Sequence, residues 1–229
     1  RGESFVFPQL SLYYLVSPVT ATILLSSSLQ RLGISSLLIE PERSPHFPFV
    51  EGLSTVQFDI LTLFPEFFTS PLESGLLGKA LQKAIAKVNL INPRDFTLDK
   101  HRRVDDIPYG GGVGMVLKPE PIFAALESLP QFPKREVILT TPQGEPMTQQ
   151  LFQELTTYDQ LVLICGHYEG VDERVCSVVT REVSLGDFVL TCGEIPALAL
   201  INGVVLLLPG TVGKEASLAA DSFSEGLLD

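Results

Sequence analysis

Charged side chains follow directly on the apolar run 161–164 and are the residues best suited to chemistry. Asp172 and Glu173 fall in the first turn of the next predicted helix, where carboxylates complement the helix dipole. Glu169 comes before that helix, between two glycine turns and beside an aromatic residue. A carboxylate there can bind a cation or a substrate amine. His167, in the same turn, is more typical of a solvated loop residue than of a ligand.

Three glycine-rich turns, at 108–115, 140–144 and 184–194, mark places where the backbone must turn sharply or approach a ligand. The phosphate-binding P-loop pattern is absent, since the Gly-Lys pairs at 78–79 and 213–214 lack its other residues. The dinucleotide-binding pattern is absent too. Loops at the ends of parallel strands therefore remain the expected ligand site.

The hydrophobic periodicity predicts alternating strands and helices around these turns. We expect strands at 58–64, 89–97, 136–140 and 160–165, and helices at 73–88, 119–129, 148–157, 171–180 and 194–206, with a long loop over 99–118. This alternation predicts an α/β domain with a mainly parallel sheet.

The composition is that of a globular protein of 229 residues, 45% apolar and 19% charged. Its cysteines, Cys165, Cys176 and Cys192, form no Cys-x-x-Cys pair, which disfavours a zinc site or a disulfide framework and favours a reducing compartment. The net charge of −11 argues mildly against a nucleic-acid binder. Residues 100–103 form one local basic cluster that offsets this argument.

Residues 1–55 differ from the rest of the chain. No charged residue occurs between Glu3 and Arg31, but prolines and hydroxyl side chains make a poor membrane span. We interpret the segment as an N-terminal extension outside the folded domain. It could be an organellar targeting extension or translated upstream sequence, so the expected location is cytoplasmic unless the extension is a targeting signal.

Several short motifs, each present once, follow one another along 57–229. They lie at 58–67 (FDILTLFPEF), 93–96 (PRDF), 101–106 (HRRVDD), 108–112 (PYGGG), 141–144 (TPQG), 165–174 (CGHYEGVDER), 184–196 (SLGDFVLTCGEIP), 221–223 (DSF) and 225–229 (EGLLD). This series resembles the bacterial tRNA (guanine-37-N1) methyltransferases of the knotted SPOUT superfamily. Each motif is moderately specific alone, and the whole series in order is very specific.

The resemblance implies a parallel sheet with a deep C-terminal trefoil knot and helices on both faces, a rare exception to ordinary topology. It places the knotted domain at 56–212 and an interdomain linker or lid at 213–229. S-adenosylmethionine is expected in a bent form among three knot loops. The implied cofactor residues are Leu139, Thr140, Thr141, Pro142, Gly144, Gly166, Tyr168, Glu169, Ser184, Leu185, Gly186, Phe188, Leu190, Cys192, Gly193 and Pro196.

The resemblance also implies the catalytic groups and partners. Asp221 matches the base that removes the N1 proton of guanine, and Glu169 matches a residue that holds guanine or a Mg²⁺ ion. The implied partners are a tRNA with guanine at position 37 and a second copy of the chain, with no membrane. The implied substrate-binding residues are His101, Arg102, Asp105 and Gly114. The family continues past Asp229 into a mostly helical tRNA-binding domain, which we expect this chain to lack.

The chain departs from the family pattern at Leu206, where an arginine is expected. Leucine cannot stabilise negative charge on guanine O6, and loss of such a donor typically costs about a hundredfold to a thousandfold in rate. Cys192, where glycine is common, and Val113 are milder departures. The sequence therefore leaves open an impaired or inactive homodimeric remnant that still binds cofactor or RNA.

A second alternative belongs to another class. Glu169, Asp172 and Asp187 could serve a metal-assisted hydrolase, but the chain has no histidine ligands at useful spacing. We therefore rank this alternative well below methyl transfer.

Overall fold

The computed structural model describes residues 55–212, which are built around a five-stranded parallel sheet. The strands of this sheet are β1 (Val56–Leu61), β2 (Ala86–Ile91), β5 (Arg135–Pro146), β6 (Gln160–Cys165) and β7 (Arg181–Ser184). Their spatial order is β2-β1-β6-β5-β7, and every neighbouring pair is parallel. Two short strands, β3 (Asp105–Asp106) and β4 (Val116–Leu117), form a separate antiparallel pair.

Helices connect the strands and cover the sheet. They are α1 (Thr69–Glu73), α2 (Gly75–Gln82), α3 (Pro119–Glu127), α4 (Gln149–Leu155) and α5 (Glu194–Leu207), with 3-10 turns at Pro65–Phe68, Pro93–Phe96 and Glu173–Ser177. The predicted α/β class with a mainly parallel sheet is confirmed.

The central strand β6 shows how the sheet separates two hydrophobic cores. Leu161 and Leu163 pack into a core with α2, α4 and α5, whereas Val162 and Ile164 pack into a second core with α3 and the Glu173–Ser177 turn. Successive side chains of a strand point to opposite faces, so a strand covered on both sides must be apolar throughout. All six residues of β6 are buried, as this arrangement requires.

The helix predicted over 73–88 is wrong in its second half. Gly75 at φ +62° separates α1 from α2, and α2 ends at Gln82. Ala84 takes a left-handed conformation at φ +56°, which an α-helix cannot continue through. Residues 86–88 then belong to β2, because the hydrogen bonds to β1 outweigh their helical spacing.

The helix predicted over 171–180 is also wrong. Only Glu173–Ser177 is helical, as a 3-10 turn, and β7 begins at Arg181. The backbone N–H of Thr180 donates to the carbonyl of Val137, and its hydroxyl both donates to and accepts from the backbone of the same residue. These bonds draw the chain onto β5 and end the helical turn.

The long apolar helix α5 is a core helix. It has 14 residues, and Gly203 lets the ring of Phe152 approach so closely that a Cβ would lie 2.4 Å from the ring. Spanning a bilayer takes roughly 20 apolar residues. Within residues 55–212, no helix is long and apolar enough to cross a membrane.

Candidate active site

A cleft of about 430 Å³ opens where β5, β6 and β7 end. Its volume falls within the usual range for small-molecule sites. Three loops form its walls: 141–144 after the first part of β5, 166–170 after β6, and 185–193 after β7. The carboxyl edge of a parallel sheet is the usual ligand position in α/β folds.

The first loop is a wide bulge within β5. Thr140 and Glu145 both pair with Val183 of β7, so residues 141–144 are extruded between them. Gly144 packs against the β7 backbone, where a Cβ would lie 2.3 Å from the nitrogen of Val183. Glycine is therefore required because the neighbouring atoms are backbone and cannot move aside cheaply.

The second loop turns tightly after β6. Tyr168 and Gly170 have φ values of +60° and +115°, and the Gly170 N–H donates to the carbonyl of His167 at 3.0 Å. The Glu169 N–H donates to the carbonyl of Met115 at 3.0 Å. The glycine-rich segment 110–114 is thereby held beside the cleft wall, and the Glu169 side chain lies against Gly114.

The third loop returns between the other two. The Gly193 N–H donates to the carbonyl of Gly166 at 2.8 Å, and the hydroxyl of Thr140 donates to the carbonyl of Gly193 at 3.3 Å. Cys192 and His167 pair as an isolated antiparallel bridge. Gly193 thus joins the ends of β5 and β6 to the start of α5.

The cleft carries negative charge. Glu169, Glu173 and Glu182 line it, and among its described lining residues there is no lysine or arginine. A cationic ligand gains from such surroundings, whereas a phosphate would be repelled. Apolar and aromatic side chains, including Phe188 and Tyr168, supply surfaces for a flat ring system.

The residues predicted to bind cofactor converge on this cleft, apart from Gly144, which shapes it from behind. The structure brings to the lining Leu139, Thr140, Thr141, Pro142, Gly166, Tyr168, Glu169, Ser184, Leu185, Gly186, Phe188, Leu190, Cys192, Gly193 and Pro196. Sequence reasoning missed Cys176, which lies in the segment predicted as a helix, and Glu182, which lies just beyond it in β7. The β-branched run 178–180, directly before β7, was the available signal that an extended segment follows.

His167 also lines the cleft, and its surroundings are more specific than those of a solvated loop residue. Its ring lies 5.0 Å from that of Phe64 and 4.5 Å from that of Tyr168, centroid to centroid. Its Nδ1 atom is buried without a hydrogen-bond partner among the described residues. The imidazole is therefore positioned by aromatic packing and keeps one polar atom available.

The residues predicted to bind substrate lie in two places. Gly114 contacts Glu169, and Asp105 pairs with Leu117, whose N–H donates to the carbonyl of Gly170. Both are therefore tied to the cleft wall. His101 and Arg102 are exposed in a separate turn held by Asp99 and Asp95, and neither lines the cleft.

The alternative of a metal-assisted hydrolase that uses Glu169, Asp172 and Asp187 receives no support from the described side chains. In the described part of the chain, no three His, Cys, Asp or Glu side chains gather as a metal site. Asp172 accepts hydrogen bonds from the guanidinium of Arg174 at 2.8 and 3.0 Å, and these bonds hold the pKa of its carboxyl below the usual value. Asp187 is exposed and does not line the cleft. The predicted base Asp221 and the predicted linker or lid at 213–229 lie outside the described residues.

These features define an α/β domain with an acidic, loop-built ligand cleft at the carboxyl edge of a parallel sheet. A family model described as tRNA (Guanine-1)-methyltransferase TrmD matches residues 56–229. The chain belongs to this family, and the resemblance inferred from its motifs is confirmed.

Individual relatives agree with the family assignment. The chain is 84% identical over 174 residues to a tRNA (guanine-N(1)-)-methyltransferase of Synechocystis sp., covering 76% of this chain and 75% of the relative. A protein of the same name from Gloeothece citriformis is 73% identical over 176 residues, 76% of each chain. The crystal structure of tRNA (m1G37) methyltransferase from Aquifex aeolicus matches with a TM-score of 0.64 at 43% identity, covering 70% of this chain and 73% of that one.

Proposed function

We propose that this protein transfers the methyl group of S-adenosylmethionine to N1 of guanine 37 in tRNA. The observation that carries the proposal is the cleft itself, where three loops surround three carboxylates and no lysine or arginine among the described lining residues. The names of the family and of the relatives point to the same reaction. An acidic, partly aromatic cleft suits a sulfonium-bearing nucleoside and does not suit a nucleotide phosphate.

The loops fit this cofactor through backbone groups as well as side chains. Gly193 lines the cleft and packs at distances that a Cβ would forbid, so backbone and not a side chain forms this part of the wall. Backbone amides and carbonyls can read the edge of an adenine ring. When bound, S-adenosylmethionine supplies an electrophilic methyl group on a positively charged sulfur. The chain's own residues bind it, orient it and exclude water from it.

Guanine N1 becomes a nucleophile only after it loses its proton. We assign this proton transfer to Asp221, in the polar segment that follows the described residues. Glu169, held against Gly114 at the cleft wall, is assigned to orienting the guanine. The proposal also gives Glu169 the role of a single oxygen ligand to Mg²⁺, an ion that commonly keeps several waters and few protein ligands.

The proposal includes the trefoil knot of the SPOUT superfamily. Its support is the position of Gly193, which lies between Thr140 and Gly166 on the route from the edge strand β7 to α5. A Cβ on Gly193 would lie 2.4 Å from the Thr140 hydroxyl and 2.6 Å from the Gly166 nitrogen. The chain therefore passes tightly between the loops that follow β5 and β6.

The proposal also includes a homodimer and a tRNA surface. Large apolar side chains of the glycine-rich turn 108–115 and of the third cleft loop are strongly exposed, among them Tyr109 at 105%, Val113 at 97% and Val189 at 85% of their reference areas. Exposed apolar groups of this kind commonly mark interaction surfaces, and a second copy of the chain is the proposed cover. Residues 100–103, with His101 and Arg102, supply positive charge for the phosphates of tRNA.

Two measurements on the 229-residue chain test the function. Calorimetric titration with S-adenosylmethionine should show saturable binding, and radiolabelled methyl transfer should label a tRNA transcript with guanine 37 but not one with adenine 37. Substitution of Glu169 with glutamine should lower transfer by at least about tenfold. Binding without transfer would instead favour the impaired remnant, and absence of both would contradict the proposal.

A further inference from the structure

Glu194 is a buried acidic residue that the proposed reaction does not use. It is the first residue of α5 and is 1% exposed. Burying a carboxylate costs several kcal/mol unless other groups compensate it, so an apolar residue would serve packing alone better. A carboxylate at this position therefore needs an explanation in what it contacts.

The Glu194 carboxylate has one hydrogen-bond partner among the described residues, and that partner is distant in sequence. The hydroxyl of Thr62 donates to Oε1 of Glu194 at 2.6 Å, across 132 positions in sequence. Thr62 follows directly on β1, is 1% exposed, and accepts a hydrogen bond from the Phe64 N–H at 3.0 Å. Its own N–H donates to the carbonyl of Ile91 at the end of β2. Thr62 is thus fixed on all sides and is a rigid anchor.

Glu194 also lies beside the end of β6. Burial raises the pKa of the Cys165 thiol well above its usual value, and the neighbouring Glu194 carboxylate raises it further. Cys165 directly precedes Gly166, whose carbonyl accepts from Gly193. The carboxylate is therefore positioned between the fixed end of β1 and the turn that begins the second cleft loop.

Gly193, the residue before Glu194, is tightly enclosed by the ends of β5 and β6. A Cβ on Gly193 would lie 2.4 Å from the Thr140 hydroxyl, 2.6 Å from the Gly166 nitrogen and 2.8 Å from the Cys165 Cα. Its N–H and carbonyl are bonded to the second and first loops respectively. A small displacement of α5 would therefore move all three loops together.

We propose that Glu194 is a positioning residue for the methyl-donor site: its buried hydrogen bond to Thr62 fixes the start of α5, and so holds Gly193 between Thr140 and Gly166. The inference rests on the proposed function for its consequence, cofactor affinity. Glu194 itself touches neither cofactor nor substrate, since it does not line the cleft. Its Oε2 atom has no hydrogen-bond partner among the described residues, so the carboxylate is retained at a cost in stability.

Four variants of the 229-residue chain test the assignment. Thr62→Val keeps the side-chain shape but removes the donor to Glu194 together with the acceptor of the Phe64 N–H. Glu194→Ala removes the acceptor of the Thr62 hydroxyl alone. Glu194→Gln keeps an acceptor for the Thr62 hydroxyl and is the rescue variant. Glu120→Ala removes an exposed carboxylate from the first turn of α3, which pairs with Arg174 and not with Thr62 or Glu194, and is the matched control.

The first readout is the dissociation constant for S-adenosylmethionine, measured by calorimetry. Thr62→Val and Glu194→Ala should each weaken binding about tenfold, whereas Glu194→Gln and Glu120→Ala should stay within about threefold of the parent. The double variant Thr62→Val/Glu194→Ala should bind S-adenosylmethionine no more weakly than the single variant with the lower affinity. Both substitutions remove the same hydrogen bond between Thr62 and Glu194. A rise in KM for the methyl donor should accompany these changes, with a smaller effect on kcat.

The second readout is amide hydrogen exchange without any ligand. Exchange should accelerate at 185–193 and 166–170 in Thr62→Val and Glu194→Ala, while β1 and β6 keep the protection of the parent. Acceleration spread evenly over the whole domain would show a general loss of stability and would overturn the positioning role. Unchanged exchange and unchanged affinity in Thr62→Val would overturn it too, even if Glu194→Ala does not fold. A parent that binds no S-adenosylmethionine would contradict the proposed function, and the exchange pattern would still decide the inference.

Discussion

The Cα atom of Gly114 lies directly against the side chain of Glu169. A Cβ at Gly114 would come within 2.5 Å of Glu169 Cγ and 2.7 Å of its Oε1. The neighbouring N–H of Glu169 donates to the carbonyl of Met115. The glycine-rich segment and the carboxylate at the cleft wall therefore form one unit, although they are more than fifty positions apart in the sequence.

Substituting Gly114 with alanine should displace the Glu169 carboxylate. Shifts of about 1 Å in a positioning group can cost about a hundredfold in rate, so we expect methyl transfer to fall between about tenfold and a hundredfold. Gly111→Ala is the matched control, because Gly111 also has positive φ, at +81°, but has no neighbour within 4 Å of its Cβ position. Steady-state transfer to tRNA measures both variants. Equal losses in the two would show that backbone strain, and not the contact with Glu169, sets the rate.

Arg181 ties the end of the first cleft loop to the rest of the domain. Its guanidinium donates to Glu145 at 3.0 Å, to Glu136 at 3.3 Å and to Glu154 at 2.5 Å. Burial lowers the pKa of Arg181, but the hydrogen bonds and charges of Glu154 and Glu136 outweigh burial and raise the pKa above its usual value. The network therefore joins β7, β5 and α4 immediately beside the bulge at 141–144.

We expect Arg181→Met to lower the free energy of unfolding by about 2 kcal/mol. This value lies between those for buried and exposed ion pairs, since the Arg181 side chain is 20% exposed and Glu136 is 9% exposed. Arg103→Met should cost less than about 1 kcal/mol, because the Arg103–Asp99 pair is well exposed. Urea unfolding followed by circular dichroism gives both values. A similar cost for the two variants would show that the network adds no more than one surface pair.

The reactivity of the cysteines tests, without any substitution, whether the cofactor binds in the cleft. Cys176 and Cys192 line the cleft, whereas Cys165 is 3% exposed beneath it. Burial raises the pKa of the Cys165 and Cys176 thiols, so less reactive thiolate is present at neutral pH. Alkylation should therefore modify the two cleft cysteines, with Cys176 reacting faster as pH rises, while Cys165 stays unmodified until the protein unfolds.

Bound S-adenosylmethionine should protect Cys176 and Cys192 from alkylation. Peptide mass spectrometry after timed labelling with iodoacetamide, with and without the cofactor, measures each site separately. Urea-unfolded protein is the control that shows all sites can react. Labelling of the two cleft cysteines at the same rate with and without saturating cofactor would contradict the placement of the cofactor in this cleft.

Sequence periodicity predicted the elements whose identity depends on burial alone. The bounds predicted for β6 are those observed, because six consecutive buried residues identify a central strand. The predicted loop residues also converge on one cleft, since the ends of parallel strands meet at one edge of a sheet. Local patterns were sufficient where the nearest neighbours along the chain decide the structure.

The features that the sequence did not predict depend on contacts between residues far apart in the chain. The strand β7 is set by the bonds of Thr180 to Val137, 43 positions away, and these end a helical turn that the spacing of apolar residues favoured. Glu194 appeared in the sequence only within a motif and at the start of a predicted helix, with no role assigned, since its partner Thr62 is 132 positions away. The requirement for Gly144 likewise arises from the β7 backbone beside it. No local pattern reports such contacts.

Leu206 is the residue most expected to limit activity. It lies in the last turn of α5, half-buried, where the family resemblance implies an arginine. We expect Leu206→Arg to raise methyl transfer by about a hundredfold or more, because a positive charge near guanine O6 stabilises the charge that develops there. Affinity for S-adenosylmethionine should stay nearly constant, since Leu206 does not line the cleft.

The neighbouring substitution Leu207→Arg is the control for Leu206→Arg. Leu207 is also half-buried and belongs to the same helical turn, but it points in a different direction around the helix axis. Leu207→Arg should leave the rate of methyl transfer near the parent level, because a charge on that side of α5 is not directed at the guanine. Single-turnover assays with saturating tRNA separate the chemical step from product release. Equal, high rates in the parent and Leu206→Arg would show that the chain stabilises O6 with another group and that its leucine is no impairment.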